Sequence, residues 1–71
     1  MAEEIRAEMV ANVWKVLKTA GDEITEGDTV VILESMKMEI PVVAESGGVL
    51  AEVAVQEGDT VQEGDLIAVV R

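Results

Sequence analysis

Residues 34–41 read Glu-Ser-Met-Lys-Met-Glu-Ile-Pro, so Lys37 is a lone cation between two methionines, with Glu34 and Glu39 outside them. The chain has only five basic residues in 71. A lysine amine can act as a nucleophile or base, or it can accept an acyl group in amide linkage. Catalysis near neutral pH needs burial or neighbouring charge to release the ammonium proton, and a lysine at an exposed tip has neither. Acylation can instead be driven by a second enzyme that brings an activated acyl group and takes the proton. Lys37 is therefore read as a site of covalent attachment.

No other residue set offers a self-contained active site, and no catalytic residue is assigned. The chain lacks histidine and cysteine, which removes the usual zinc and haem ligand sets, disulfides, and the Ser-His-Asp and Cys-His arrangements. Neither a phosphate-binding loop nor a dinucleotide fingerprint occurs. Four Gly-Asp pairs bring Asp22, Asp28, Asp59 and Asp65 into view as hard oxygen ligands. Their spacing fits no helix–loop–helix calcium site, and Gly followed by Asp is also turn chemistry, one residue tolerating positive φ and the next bonding its local backbone. Turns are the reading taken here, and no metal is assigned.

Met36 and Met38 flank Lys37. In an extended strand both would lie on one side, opposite the lysine. They are either a core pair or a soft contact surface, since thioether side chains repack readily against a partner. With Glu34, Ser35 and Glu39 they form the candidate recognition set around the lysine.

These residues need a scaffold. Val and Ile together number eighteen against four Leu, Trp14 is the only aromatic, and stiff β-branched side chains favour a pleated surface over a helix. Strands are expected over residues 5–10, 12–18, 29–33, 38–43, 49–55 and 66–70, with Ile24 and Val61 as isolated apolar anchors. Val13 and Val16 cannot share a face of a regular strand, which predicts a bulge or apolar neighbours on both sides. Pro41 has no N–H for a ladder, so its strand should lie at an edge or place Pro41 where no donor is needed. In residues 49–55 the alternation puts Val49, Ala51, Val53 and Val55 on one side.

The second half repeats the first at a shift of 37 residues: Val16 falls on Val53, Gly21 on Gly58, Asp22 on Asp59, Gly27 on Gly64 and Asp28 on Asp65. Gly21, Gly27, Gly58 and Gly64 open turns, and Gly47-Gly48 makes another. Two similar strand sets fold most simply as two small sheets packed face to face about a pseudo-twofold axis. The mates of Lys37 would be residues 0 and 74, just past the chain ends, so the lysine turn sits opposite the paired termini. Only Ser35-Met36-Lys37 is left to join the strands on either side, which predicts a tight hairpin. Met-Lys is poor chemistry for such a turn, where Asn-Gly or Gly-Gly is preferred. A conflict between local sequence and local structure marks a functional constraint.

The length bounds the chain to one domain, residues 1–71. A net charge of −10 from fifteen acidic and five basic residues disfavours nucleic acid and anionic membranes as partners. The acidic exterior is either a solvated face or a steering field toward a basic partner. The opening Met-Ala-Glu-Glu-Ile-Arg has acidic residues where a secretory signal needs basic ones, and no long apolar run follows, so a cytoplasmic location is expected.

With these residues set out, the chain resembles the biotinyl/lipoyl attachment domain family, and within it the small free-standing attachment proteins. The matching features are Glu-Ser-Met-Lys-Met-Glu-Ile-Pro, Gly27 and Gly47 ten residues on either side of Lys37, and both Gly-Asp-x-(Ile/Val)-x-x-Gly-Asp turns. The resemblance implies an all-β fold, a flattened β-barrel or sandwich of two four-stranded antiparallel sheets. It also implies that a biotin protein ligase transfers biotin from biotinyl-adenylate to Lys37, and that the swinging arm serves biotin carboxylase and carboxyltransferase. The chain would then be a monomeric carrier and not an enzyme. Met-Lys-Met is the family's biotin pattern and Asp-Lys-Ala its lipoyl pattern. Ser35 stands where biotinyl domains commonly have Ala, and the sequence has no room for the thumb loop of some bacterial carriers. Lipoate on the same lysine is the alternative cofactor, and an unmodified acidic binding module is the reading from a different class.

Overall fold

The computed structural model describes residues 2–71, which form eight strands. They are β1 (Glu3–Arg6), β2 (Ala11–Val16), β3 (Glu23–Ile24), β4 (Thr29–Ser35), β5 (Met38–Val43), β6 (Gly48–Val53), β7 (Thr60–Val61) and β8 (Leu66–Val70). Two four-stranded antiparallel sheets result, with orders β1-β8-β6-β3 and β5-β4-β2-β7. The all-β fold expected from the β-branched composition is the fold observed. No helix among the described residues is long and apolar enough to cross a membrane.

The 37-residue repeat is structural. It carries β2, β3 and β4 onto β6, β7 and β8, and β1 onto the last four residues of β5, so each sheet order maps onto the other. Hydrogen bonds follow the same relation. The Gly21 N–H donates to the Leu50 carbonyl at 2.7 Å and the Gly58 N–H to the Val13 carbonyl at 2.8 Å. The Gly27 N–H reaches the Ala44 carbonyl, and the Gly64 N–H the Ala7 carbonyl, both at 2.8 Å. All four Gly-Asp turns close alike. Oδ2 of Asp22, Asp28 and Asp59 accepts from the backbone N–H of Thr19, Thr25 and Gln56 at 2.8 Å, and that of Asp65 from Gln62 at 2.9 Å. These aspartates are spent on the turns' own donors.

Between the sheets lies an aliphatic core that includes Val13, Val30, Val31, Leu33, Leu50, Ile67 and Val70, all essentially sealed from water, and no buried polar or charged side chain interrupts it among the described residues. A short chain without disulfides is held by this packing.

Several strand limits differ from the sequence expectation. The first strand is Glu3–Arg6, not residues 5–10, because the stretch after Arg6 leaves the ladder with β8 after a register shift at Ile5/Arg6. The second is Ala11–Val16 and stops short of residue 18. Its predicted bulge exists, with two residues of β2 facing one of β4 between Val13 and Lys15. The bulge lets Val13 and Val16 both face inward while Trp14 and Lys15 face out. The mate bulge, between Leu50 and Glu52, overturns the alternation expected for residues 49–55. Leu50 is sealed in the core and Val49 and Ala51 are exposed, whereas Val53 and Val55, past the bulge, pack inward. Ile24 and Val61 prove to be members of two-residue strands. Gly47-Gly48 is not the centre of a turn: the bend falls at Glu45 and Ser46, and Gly48 begins β6. Pro41 lies on β5, an edge strand, where its missing N–H leaves no gap in a central ladder.

Candidate functional site

The lysine is carried by the best-held strand of its sheet. β4 is flanked by β2 and β5, pairing Val13 with Leu33, Leu33 with Ile40 and Glu34 with Glu39, and it buries Val30, Val31 and Leu33 in the core. Pairing continues to Ser35 opposite Met38 and leaves two residues, Met36 and Lys37, to reverse the chain. Both have positive φ, 54° and 65°, the signature of a primed type I hairpin turn. They are the only non-glycine residues with positive φ among those described. A side chain in this region costs on the order of 1 kcal/mol or more. The flanking ladder imposes that conformation at the tip.

The turn geometry corrects the extended-strand picture of the methionines. Met36 is inside the turn and only Met38 belongs to a strand, so the two do not form one row. Neither is a core residue: Met36 is 91% and Met38 63% exposed. Of the two readings left open by the sequence, the contact surface is the one the burial pattern fits. Lys37 is exposed beside them. The one ion pair among the described residues joins Arg6 to Glu4 at 2.8 Å, so the Lys37 ammonium has no carboxylate partner. Glu34 and Glu39 face each other directly across the hairpin, a like-charge pairing that costs stability. Ser35 closes the ladder at the base of the turn. The strand pair thus presents an unpaired primary amine with open access, and the arrangement fits an amide-linked acyl group because nothing folds over the amine.

The predicted turn glycines lie away from this tip and shape the scaffold. Gly21, Gly27, Gly58 and Gly64 have φ between 90° and 99° with open space beside them. Gly48 is different: a Cβ there would run into the Arg71 carbonyl oxygen. At Gly47 a Cβ would sit 3.2 Å from the Ile24 carbonyl oxygen.

Two features near the hairpin were missed in the sequence. Met9 and Val10 are exposed in the segment leading into β2, whose Asn12 pairs with Glu34, so this segment runs in beside the hairpin. Trp14, also exposed, has the Lys15 ammonium 5.6 Å from its ring centroid, in cation–π range. The repeat contained the signal, because the mates of Met9, Val10, Trp14 and Lys15 are Ser46, Gly47, Ala51 and Glu52. The two halves differ in chemistry at these positions.

A protein-family model described as "Biotin-requiring enzyme", the biotin/lipoyl model, matches residues 3–70. A "Biotinylated protein TB7.3 homolog" of Mycobacterium leprae is 56% identical over 70 residues, covering 99% of both chains. A "Biotin/lipoyl attachment protein" of Bacillus subtilis is 52% identical over 63 residues, 89% of this chain and 86% of the relative. Among solved structures, Kluyveromyces lactis urea carboxylase contains a region that superposes on the whole chain with a TM-score of 0.93 at 37% identity, this region being 6% of that much longer protein.

Proposed function

The chain belongs to the biotin/lipoyl attachment family, and on that premise we propose that it is a biotin carboxyl carrier whose Lys37 receives the cofactor. The observation that carries the reading is the two-residue turn that holds an unpaired, exposed amine on the most firmly anchored strand of its sheet. In the proposed reaction a biotin protein ligase deprotonates the Lys37 amine, the nitrogen attacks the acyl carbon of biotinyl-adenylate, and AMP leaves as the amide bond forms. When bound, biotin supplies a ureido nitrogen that can carry a carboxyl group. The chain supplies the tether and no catalytic group. Its role is to present the arm first to a biotin carboxylase and then to a carboxyltransferase.

Met36, Met38, Glu34, Ser35 and Glu39 are the residues a ligase would read on this turn. Two polarizable thioethers standing in water beside the target amine supply an adaptable apolar contact, and the acidic pair supplies charge around it. The chain would work as a monomer in the cytoplasm, with its net charge of −10 steering it toward basic partner surfaces.

Intact-mass measurement after incubation with a biotin ligase, ATP and biotin tests the proposal. The expected result is a gain of one biotinyl group that vanishes in Lys37→Ala. An unchanged mass, or a gain that survives the substitution, would sink it. A lipoyl group on Lys37 in protein isolated from its own cells would turn the reading to the other cofactor of the family. An unmodified Lys37 in protein recovered bound to an enzyme would favour the binding module.

A further inference from the structure

The placement of the methionines separates recognition from stability. The sealed core consists of Val, Ile, Leu and Ala side chains and holds no methionine. Met9, Met36 and Met38, the methionines of the described residues, are all exposed, at 44%, 91% and 63%, and all lie at the hairpin or in the segment beside it. An exposed thioether is open to oxidants. It also has no packing to lose when a polar oxygen is added.

We propose that Met36 and Met38 are sites of reversible oxidation, and that sulfoxide formation at the tip blocks modification of Lys37 while the fold stays intact. The inference rests on the carrier reading above, because it needs a ligase that reads the tip. The oxidant is a peroxide. The thioether sulfur attacks a peroxide oxygen, the O–O bond breaks, and a sulfoxide and water leave the encounter. Sulfur is oxidised by two electrons and the peroxide reduced by two. A sulfoxide reductase returns the thioether at the expense of a dithiol.

The consequence follows from what changes at the surface. A flexible apolar side chain becomes polar and chiral at each of two positions next to the target amine. The adaptable apolar contact offered to the ligase is then gone from both sides of Lys37. No core contact changes, since none of the three methionines is buried.

The experiment treats the unmodified protein with hydrogen peroxide, maps the sulfoxides by peptide mass, and follows the rate of biotinylation by ligase, ATP and biotin. Oxidation should fall on Met36 first, Met38 next and Met9 last, in the order of exposure. Biotinylation should slow about fivefold or more, the scale of a contact residue lost from a recognition surface. Sulfoxide reductases should restore the rate, and the melting temperature should stay where it was.

Biotinylation of the oxidised protein at the unoxidised rate would overturn the proposal. So would equal peroxide sensitivity in a Met36→Leu/Met38→Leu variant, each protein being compared with its own untreated sample, because the damage would then lie at Met9, Trp14 or elsewhere. The carrier reading fails separately: it is the untreated protein that must gain biotin on Lys37. A untreated chain that is modified, and an oxidised one modified equally well, would sink the inference alone.

Discussion

The two halves of this chain build nearly the same backbone and then use it differently. In the first, β4 runs out to the Lys37 hairpin; in the second, its mate β8 runs to Arg71, which pairs with Val49 by hydrogen bonds of 2.6 and 2.8 Å. Positions that hold the sheets together keep their chemistry under the 37-residue shift. Gly27 and Gly64 share a φ of 90°, Asp28 and Asp65 cap matching turns, and Val13 and Leu50 occupy matching bulges. Among the positions that differ are Met9 and Val10, in the segment that runs in beside the hairpin, which stand where the second half has Ser46 and Gly47. The repeated part is the scaffold, and the Lys37 hairpin is what the scaffold presents.

The largest expected effect breaks function and leaves the comparison intact. Lys37→Ala should abolish attachment completely, because it removes the amine that would form the amide. The side chain is exposed and unpaired, so urea denaturation should give a stability within about 0.5 kcal/mol of the parent. A larger loss would mean that Lys37 also supports the hairpin.

The next effect breaks the symmetry from the other side. Gly48 is the mate of Ala11, yet a Cβ at Gly48 would collide with the Arg71 carbonyl oxygen. Gly48→Ala should therefore cost roughly 2–4 kcal/mol, in the range of strained backbone sites and overpacked positions. At its mate the methyl group is already present and buried. A neutral Gly48→Ala would show that the C-terminal residue yields, and that the two halves are closer than their side chains suggest.

Smaller effects test whether mates are equal. Asp28→Ala and Asp65→Ala each remove one side-chain acceptor, at 2.8 and 2.9 Å from the backbone donor, in an exposed turn. Each should cost about 1 kcal/mol, and the two losses should agree within about 0.5 kcal/mol. Chemical denaturation of the pair checks both numbers. A clear inequality would mean that one turn bears more of the fold.

Much of this division could be read before any coordinates. The β-branched bias, the Gly-Asp turns and the repeat led to two sheets and a pseudo-twofold, because those signals are local and occur twice. Pro41 and the Val13–Val16 spacing likewise pointed to an edge and a bulge. The hidden parts depended on pairing. The bulge at Leu50/Glu52 inverts which residues of β6 face the core, and nothing in the alternation of Val49, Ala51, Val53 and Val55 signals that inversion. Met36 and Met38 read as neighbours in a strand, but their environment follows from where the ladder stops, at Ser35 and Met38. Met9 and Val10 approach the hairpin only through the pairing of Asn12 with Glu34.

The finest test pits the two roles of one residue against each other. Met36 has a φ of 54°, which a methionine adopts at a cost and which asparagine tolerates far better. Its side chain is almost wholly solvated, so removing it loses no packing. Met36→Asn should therefore stabilise the fold by up to about 1 kcal/mol, since Asn at the first central position is what a primed type I turn prefers. The same substitution should slow biotinylation, because it removes one of the two apolar contacts beside the amine. Opposite signs in denaturation and in ligase kinetics would mean that methionine is kept at this turn for its partner and against its own backbone. A substitution that stabilised the protein and left the ligase rate unchanged would remove Met36 from the recognition surface and leave Met38 to carry it.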